Sequence, residues 1–576
     1  MDLRLLFLRL VIGGLCFSSM LAHAQTQDWL TAEKQTTPQI QSNPAISENI
    51  EEIRNLISLA VNGSFEESWN ASIQLAAMGD IVVPYLLPFL ADEREDLHRT
   101  QAIVVLKKVG SQAVLPLVLA LDTDDYFLQQ NICIVLREIR DTRSLGYLRW
   151  LLENSKGFSE VRPYAEQAIK AIGGPANTAK QTLYNQGMWY YTQTPSNDAL
   201  NPHNVWRFEA DKKNVAFVTV PESAYFASLA EETCNQALKI DPTDRSVWAL
   251  LVCAYFKQYA ETRNLSARAE GAELPDEVKK AYAKTEKLFV KKKVFGNTAG
   301  VDALMGGLTL AMDSNHPAVG VEILDAIGEV CNEQDLASGN PVFKALTSSH
   351  QMLRYASARA LVRINPTKAF PGAERVIPNL AEAFNNKEVS LQASETLASL
   401  DPSRSIFNAG SAVDGLISLL ASPTKEIKIS TIRALGQIGN AKALGSLAKI
   451  LSSKSEENNT RSDAAWAIGE IFKISGSIEP QAYEALIQGV RNSNSEIRNQ
   501  SGLAMGKAAK LDPTKRFSLF IAEREAGNTA TEEPSKEEEP SEESKEEEPS
   551  KESKEEEPSK EEEPSEEGSS EEMKDE

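Results

Sequence analysis

Cysteine is scarce in this 576-residue chain: five in all, with Cys16 near the start and Cys133, Cys234, Cys253 and Cys331 widely spread behind it. So few scattered thiols cannot build a disulfide scaffold. They read as buried free thiols, with a Cys234–Cys253 bridge between neighbouring helices as the alternative, because sequence does not give the Cα separation that a bridge requires. Histidine is equally rare. Beyond His23 there are His98, His203, His316 and His350, and none lies in a His-Glu-x-x-His pair or beside a Cys-x-x-Cys cluster, so no metal ligand is assigned. Phosphate-cradling glycine loops, a dinucleotide fingerprint and a nucleophile elbow are also missing from any strand-to-helix setting, which leaves cofactor-binding and catalytic residues unassigned. Carboxylates abound without forming a catalytic pair. Asp122, Asp124 and Asp125 ahead of Tyr126 read as turn and cap residues.

Long apolar runs are lacking too, apart from the start. Arg4 and Arg9, the apolar stretch Leu10 to Leu21, and Ala22-His23-Ala24 read as an export signal over residues 1–24, with the mature chain opening at Gln25. An uncleaved anchor is the alternative, although the run is shorter than the roughly 20 residues a span needs. Leu15 before Cys16 is too large for a lipoprotein signal. No later segment reads as a membrane span, so the chain is not expected to be an integral membrane protein. The formal charge of −22 is unevenly held: residues 531–576 contain 23 acids and 6 lysines, a net of −17, leaving −5 upstream. A mildly acidic folded part lacks the basic face that phosphate backbones require, which argues against nucleic acid as a partner.

What the chain does have is a recurring register. A basic or polar anchor is followed by small or apolar residues three, six and seven places on and often by glycine at the eleventh, as in Arg99, Ala102, Val105, Leu106, Gly110 and in Arg162, Ala165, Ala168, Ile169, Gly173. Anchors fall at Ser68, Arg99, Gln129 and Arg162, then at Pro317, Arg354, Ser390, Lys428, Arg461 and Arg498, with steps of roughly 30 to 38 residues. Offsets of three and seven line one helical face, and the glycine ends the helix. Apolar stretches such as Ala113 to Leu121 and Ala443 to Leu451 supply a second, antiparallel helix. Each repeat is thus a helical hairpin that must stack on its neighbours to cover its apolar face. The regular anchors are read as ties between repeats, since a ligand site rarely recurs with the fold.

These segments, above all Leu353 to Ile364 and Ile427 to Leu451, resemble HEAT repeats of the short bacterial type, with the basic anchor absent at Ser68, Gln129, Pro317 and Ser390. The resemblance implies an all-α solenoid that binds proteins or acts as a scaffold without catalysis. It defines a first block at 46–175 and a second at 299–526, while the polar stretch before them with Pro38 and Pro44 reads as a flexible leader at 25–45.

Between them, 176–298, the pattern changes. Two alternating runs around Ala210 to Lys213 predict a β-hairpin inserted among helices. Ala230, Ala237 and Pro242, then Trp248, Leu251 and Tyr255, resemble one and a half tetratricopeptide repeats, with Val252 where that motif has glycine; the resemblance makes Trp248 and Tyr255 core positions. Lysines 279, 280, 284, 287 and 291–293 read as a solvated helix face, with a patch holding an anionic partner or the chain's own acidic tail as the functional alternative. Residues 527–576 vary the theme Glu-Glu-Pro-Ser-Lys with Met573 as the one sizeable apolar side chain, so a disordered acidic spacer is expected, with weak divalent-cation binding or adhesion to a basic surface as the sharper option.

The leading functional expectation is an exported, periplasmic or envelope-associated bacterial scaffold whose partners are proteins. A bilin-lyase-like enzyme, implied by resemblance to some bacterial HEAT proteins, and an envelope spacer are the alternatives.

Overall fold

The computed structural model describes residues 50–524 except 155–157, 196–198, 338, 401–404, 517–519 and 522–523. The expected export signal, leader and acidic tail therefore lie outside the described residues. The described residues from Ile50 to Ile521 belong to one compact unit.

The register produces the expected helices. Around Arg99 the helix Asp96–Val109 buries Ala102, Val105 and Leu106 completely. Its partner Val114–Ala120 follows after the short 3₁₀ turn Gly110–Ala113. Numbered along the chain, the first block comprises α1 (Ile50–Asn62), α2 (Phe65–Met78), α3 (Val83–Ala91), α4 (Asp96–Val109), α5 (Val114–Ala120), α6 (Tyr126–Ile139), α7 (Leu145–Asn154) and α8 (Phe158–Ile172). A middle segment follows with α9 (Ala179–Thr192), strands β1 (Pro202–Glu209) and β2 (Asn214–Pro221), α10 (Glu222–Ile240), α11 (Arg245–Thr262), α12 (Leu265–Glu270) and α13 (Asp276–Thr298). Next come α14 (Val301–Asp313), α15 (Pro317–Val330), α16 (Pro341–Ala345), α17 (Gln351–Ile364), α18 (Val376–Ala383) and α19 (Ser390–Ser399). The stack continues through α20 (Val413–Leu419), α21 (Lys425–Ile438), α22 (Leu444–Ser452), α23 (Asn458–Ser475), α24 (Pro480–Val490) and α25 (Ser495–Leu511).

Like helices of successive repeats stack on one another: α4 on α6 on α8, and α19 on α21 on α23 on α25. Small residues permit the close approach. A Cβ added at Gly469 of α23 would lie 2.7 Å from the Cβ of Ala504 on α25. Gly439 ends α21 in the left-handed region, φ 71°, and its N–H donates to the Leu435 carbonyl at 3.1 Å, which is how a solenoid helix is closed before its partner begins. One continuous hydrophobic core runs from Ile53 to Ala508 through both blocks and the middle segment.

The β-hairpin forms where the alternation placed it, antiparallel with Trp206 opposite Phe217 and a turn between Glu209 and Asn214. It packs against α3 and α5 of the first block, and α10 and α13 close over it from the other side.

Two expectations are corrected. Two stretches downstream of the leader, Phe65–Ala91 and Asp96–Ala120, are long and apolar enough to cross a membrane by composition. Each is two helices joined by a turn at Gly79 or Gly110, with apolar side chains such as Leu86 and Leu117 buried in the core while Phe65, Trp69 and Leu97 are exposed. Trp248 and Tyr255 are half-buried rather than core. The Trp248 indole N–H donates to the Pro242 carbonyl at 2.8 Å, which holds the ring at the surface while Leu250 and Phe256 fill the interior.

Candidate protein-binding surfaces

Most anchors are ties at the loops between consecutive repeats. Arg99 donates to the Asp92 carbonyl at 2.8 Å, Gln129 to the Leu121 and Thr123 carbonyls, Arg461 to Leu451 and Arg498 to Asn492 and Ser493. Ser68 does the same with its hydroxyl on the Ala60 carbonyl at 2.6 Å. These are carbonyls left without a helical partner at the end of the preceding helix or in the loop after it. Arg162 differs: it pairs with Glu166 one turn on, at 2.7 Å.

A second ladder, which the anchor register did not reveal, joins stacked helices directly. Lys107 pairs with Glu138, Arg433 with Asp463 and Lys507 with Glu470. Arg359 on α17, only 4% exposed, reaches back to Asp325 on α15 at 2.8 Å and forward to Gln392 on α19. Regular ion-pair spacing therefore belongs to the fold.

In the first block, the surface formed by α3 and α5 is covered by the chain itself. The Trp206 indole N–H donates to Asp80 Oδ2 at 2.7 Å and Asn214 Nδ2 to the Pro84 carbonyl at 3.1 Å. Burial raises the Asp80 carboxyl above its ordinary range, opposed by the bonds from Trp206 and Asn204.

Behind the hairpin lies a buried polar network. Lys292 of α13 pairs with Glu231 of α10, which also accepts from Gln258 Nε2 at 2.8 Å, with Arg207 of β1 at 4.0 Å. Burial and the adjacent Glu231 push the Glu232 carboxyl up to about 7. Lys257 donates to the carbonyls of Tyr191 and Gln193 at 2.6 and 3.0 Å, and burial pushes its ammonium down to about 8.

The four cysteines from Cys133 onward are buried and unbridged. Burial pushes the Cys133 and Cys253 thiols up to about 12, so the nucleophilic thiolate is suppressed. His98 bonds Asn62 and His350 bonds Asn315. His203 stacks on Tyr225 with centroids 4.6 Å apart, and burial takes His316 down to about 4. Among the described residues no group of three His, Cys, Asp or Glu side chains could hold a metal ion.

Among the described residues, two of the open surfaces are polar and of mixed charge. Over α9, α11 and α14 lies a groove of about 430 Å³ edged by Tyr184, Arg245, Ser246, Asp302, Thr309 and Asp313. Arg245 and Asp302 face each other at 3.3 Å and are both well exposed. In the second block, α18, α20, α22 and α24 present Glu382, Asp414, Lys449 and Glu484 to solvent. Such mixed polar faces suit a protein partner better than a small apolar ligand.

Residues 413–506, spanning α20 to α25 and holding the loop tie at Arg461 and the Gly469–Ala504 approach, match the family model for HEAT repeats. That segment is similar to a run of HEAT repeats. Structural likenesses extend over more of the chain. An engineered protein is 17% identical, covering 79% of this chain and 98% of its own, with a TM-score of 0.33. UNC-45 from Drosophila melanogaster is 13% identical, covering 81% and 70%, at 0.34. Kap121p bound to Ste12p is 12% identical, covering 82% of this chain and 51% of its own, at 0.29. At these identities and scores the likenesses bear on no partner or activity. No curated protein matches the chain. The HEAT repeats and the helical stack agree with the all-α solenoid expected from the register.

Proposed function

We propose that this chain is a non-catalytic, exported scaffold that binds other proteins through its helical-repeat surfaces. The observation that carries the reading is the open groove edged by Tyr184, Arg245, Asp302 and Asp313, set in a stack whose buried ionisable groups hold the repeats to one another. Export rests on the signal read at residues 1–24, and the likeness to HEAT repeats makes a protein partner the first expectation.

Crosslinking in intact cells, followed by affinity capture of the tagged protein and mass spectrometry, tests the reading. A chain ending at Gly527 is run in parallel. A small set of partners retained by both versions is expected. Capture of nothing would overturn the scaffold, and capture that depends wholly on residues after Gly527 would replace it with an electrostatic spacer.

A further inference from the structure

Helix α13 turns one face inward and a chemically distinct one outward. Val278, Tyr282, Thr285, Phe289, Lys292 and Gly296 recur at alternating steps of four and three and are buried, in contact with α11, α12 and β2. On the opposite side Lys280, Lys284, Lys287 and Lys291 follow the same spacing, and all four are exposed. They form a row about 16 Å long at 1.5 Å per residue. Val294 and Phe295 flank the C-terminal end of that face and are 56% and 53% exposed.

Neighbouring cations behave differently. Lys292 pairs with Glu231, Lys293 and Arg263 with Glu322, and Lys180 with Asp244. None of the four row lysines forms an ion pair among the described residues. Like charges three and four residues apart destabilise a helix by a few tenths of a kcal/mol per pair. The row therefore works against the fold's own stability, and an anionic ligand would reverse the sign.

We propose that this face of α13 docks an acidic, extended polypeptide segment of another protein. Its carboxylates meet Lys280, Lys284, Lys287 and Lys291, and two adjacent apolar side chains lie against Val294 and Phe295. The proposal rests on the scaffold reading and names one surface and partner chemistry for it. From Lys280 to Phe295 the face is about 22 Å long, which accommodates roughly seven residues of extended chain. A single strand can reach a one-helix stripe on a folded part that carries −5 overall upstream of residue 531, whereas a broad anionic surface would also meet that repulsion. In residues 531–576 of this chain the one sizeable apolar side chain, Met573, has only Glu571 and Glu572 directly before it, behind Gly568-Ser569-Ser570, and Lys574 directly after it, so neither an apolar pair nor a run of acids in register with the four lysines is on offer.

Binding of a labelled synthetic peptide, a glutamate run closed by Phe-Leu, is measured by fluorescence anisotropy on the full chain. A control peptide carries Ser-Ser in place of Phe-Leu. The variants are Lys280→Glu/Lys284→Glu/Lys287→Glu/Lys291→Glu and Val294→Ser/Phe295→Ser, all at exposed positions, with retained helicity checked by circular dichroism. Charge reversal is expected to weaken binding about tenfold or more, and added salt to weaken it further. Removing the apolar pair from either partner is expected to cost several-fold.

Equal binding by the charge-reversed variant, or equal binding of the control peptide, would overturn the proposal. So would binding that appears only in a chain ending at residue 530, which would make the chain's own tail the occupant. Binding to phosphatidylglycerol vesicles without peptide binding would assign the face to lipid instead. If the charge-reversed chain still captures its whole partner set in cells, this surface is wrong and the scaffold stands; if the unaltered chain captures nothing, the scaffold itself fails.

Discussion

Trp206 on the hairpin donates its indole N–H to Asp80, at the turn between α2 and α3, at 2.7 Å across 126 positions of sequence. The ring is 2% exposed, and burial raises the carboxyl it touches. This contact fastens the middle segment over the first block, so the surface of α3 and α5 is occupied from within the chain.

Replacing Trp206 by Phe keeps much of the ring packing and removes the donor. Leaving Asp80 desolvated without that bond is expected to cost about 1–3 kcal/mol, measured by denaturant unfolding. Because the lost bond favours the ionised form, the Asp80 carboxyl rises further in the variant, and its deficit relative to the parent shrinks as pH falls. A deficit independent of pH would show that the indole N–H does not act on this carboxyl.

Lys257 supplies the clearest alkaline signature. Its folded-state pKa is pushed down to about 8 from an ordinary 10.5. Between those values the unfolded chain binds more protons, so this group makes stability rise with pH across that window. Lys257→Met is expected to lack that rise, so the parent-minus-variant stability difference grows as pH goes from about 8 to 10.5. Stability curves for the two proteins at matched ionic strength test it.

Glu232 acts in the opposite sense. Its folded-state pKa of about 7 lies above the ordinary 4.5, so the folded state holds the proton longer and stability falls as pH rises between the two values. Glu232→Gln should remove that fall. An unchanged slope would mean that the carboxyl is solvated.

Gly469 and Gly506 occupy the same place in successive repeats, eight residues past the anchors Arg461 and Arg498. A Cβ at Gly469 would meet Ala504 at 2.7 Å, whereas one at Gly506 would meet nothing within 4 Å. Gly469→Ala is expected to destabilise by about 1–3 kcal/mol through overpacking. Gly506→Ala should stabilise by up to about 1 kcal/mol through helix propensity. Equal effects would show that α25 is covered as α23 is.

Arg359 is almost wholly buried against Asp325. Asp325→Asn leaves the guanidinium without its charge partner, and breaking a buried pair this way costs about 3–5 kcal/mol. Arg359→Met leaves a carboxylate that is partly in water and has Arg363 at 4.0 Å. The first substitution is expected to lower the melting temperature more than the second.

Repeat period, helix hairpins and the β-hairpin were legible in the sequence because each rests on local periodicity: Ala102, Val105 and Leu106 on one helical face, Val205 and Val218 on facing strands. Glycine at the eleventh place marked where a helix must stop, since Gly439 takes a backbone conformation that other residues resist. Lysine spacing on α13 was equally visible, but its division into a buried Lys292 and four exposed row lysines was not. That division depends on which side of the helix meets α11 and β2.

Tertiary structure alone decided the contacts between distant segments. No local pattern places Trp206 on Asp80, Lys292 on Glu231 or Arg359 on Asp325, because each pair is joined by stacking and by the hairpin's return over the first block. The same holds for the thiols. Sequence left Cys234 and Cys253 free or bridged, and packing buries both unbridged, with the Cys253 thiol turned to the Gly307 carbonyl. Periodicity determines which face of each element is apolar; what lies against that face is set by chain crossings at long range, where close packing and desolvation choose the partner.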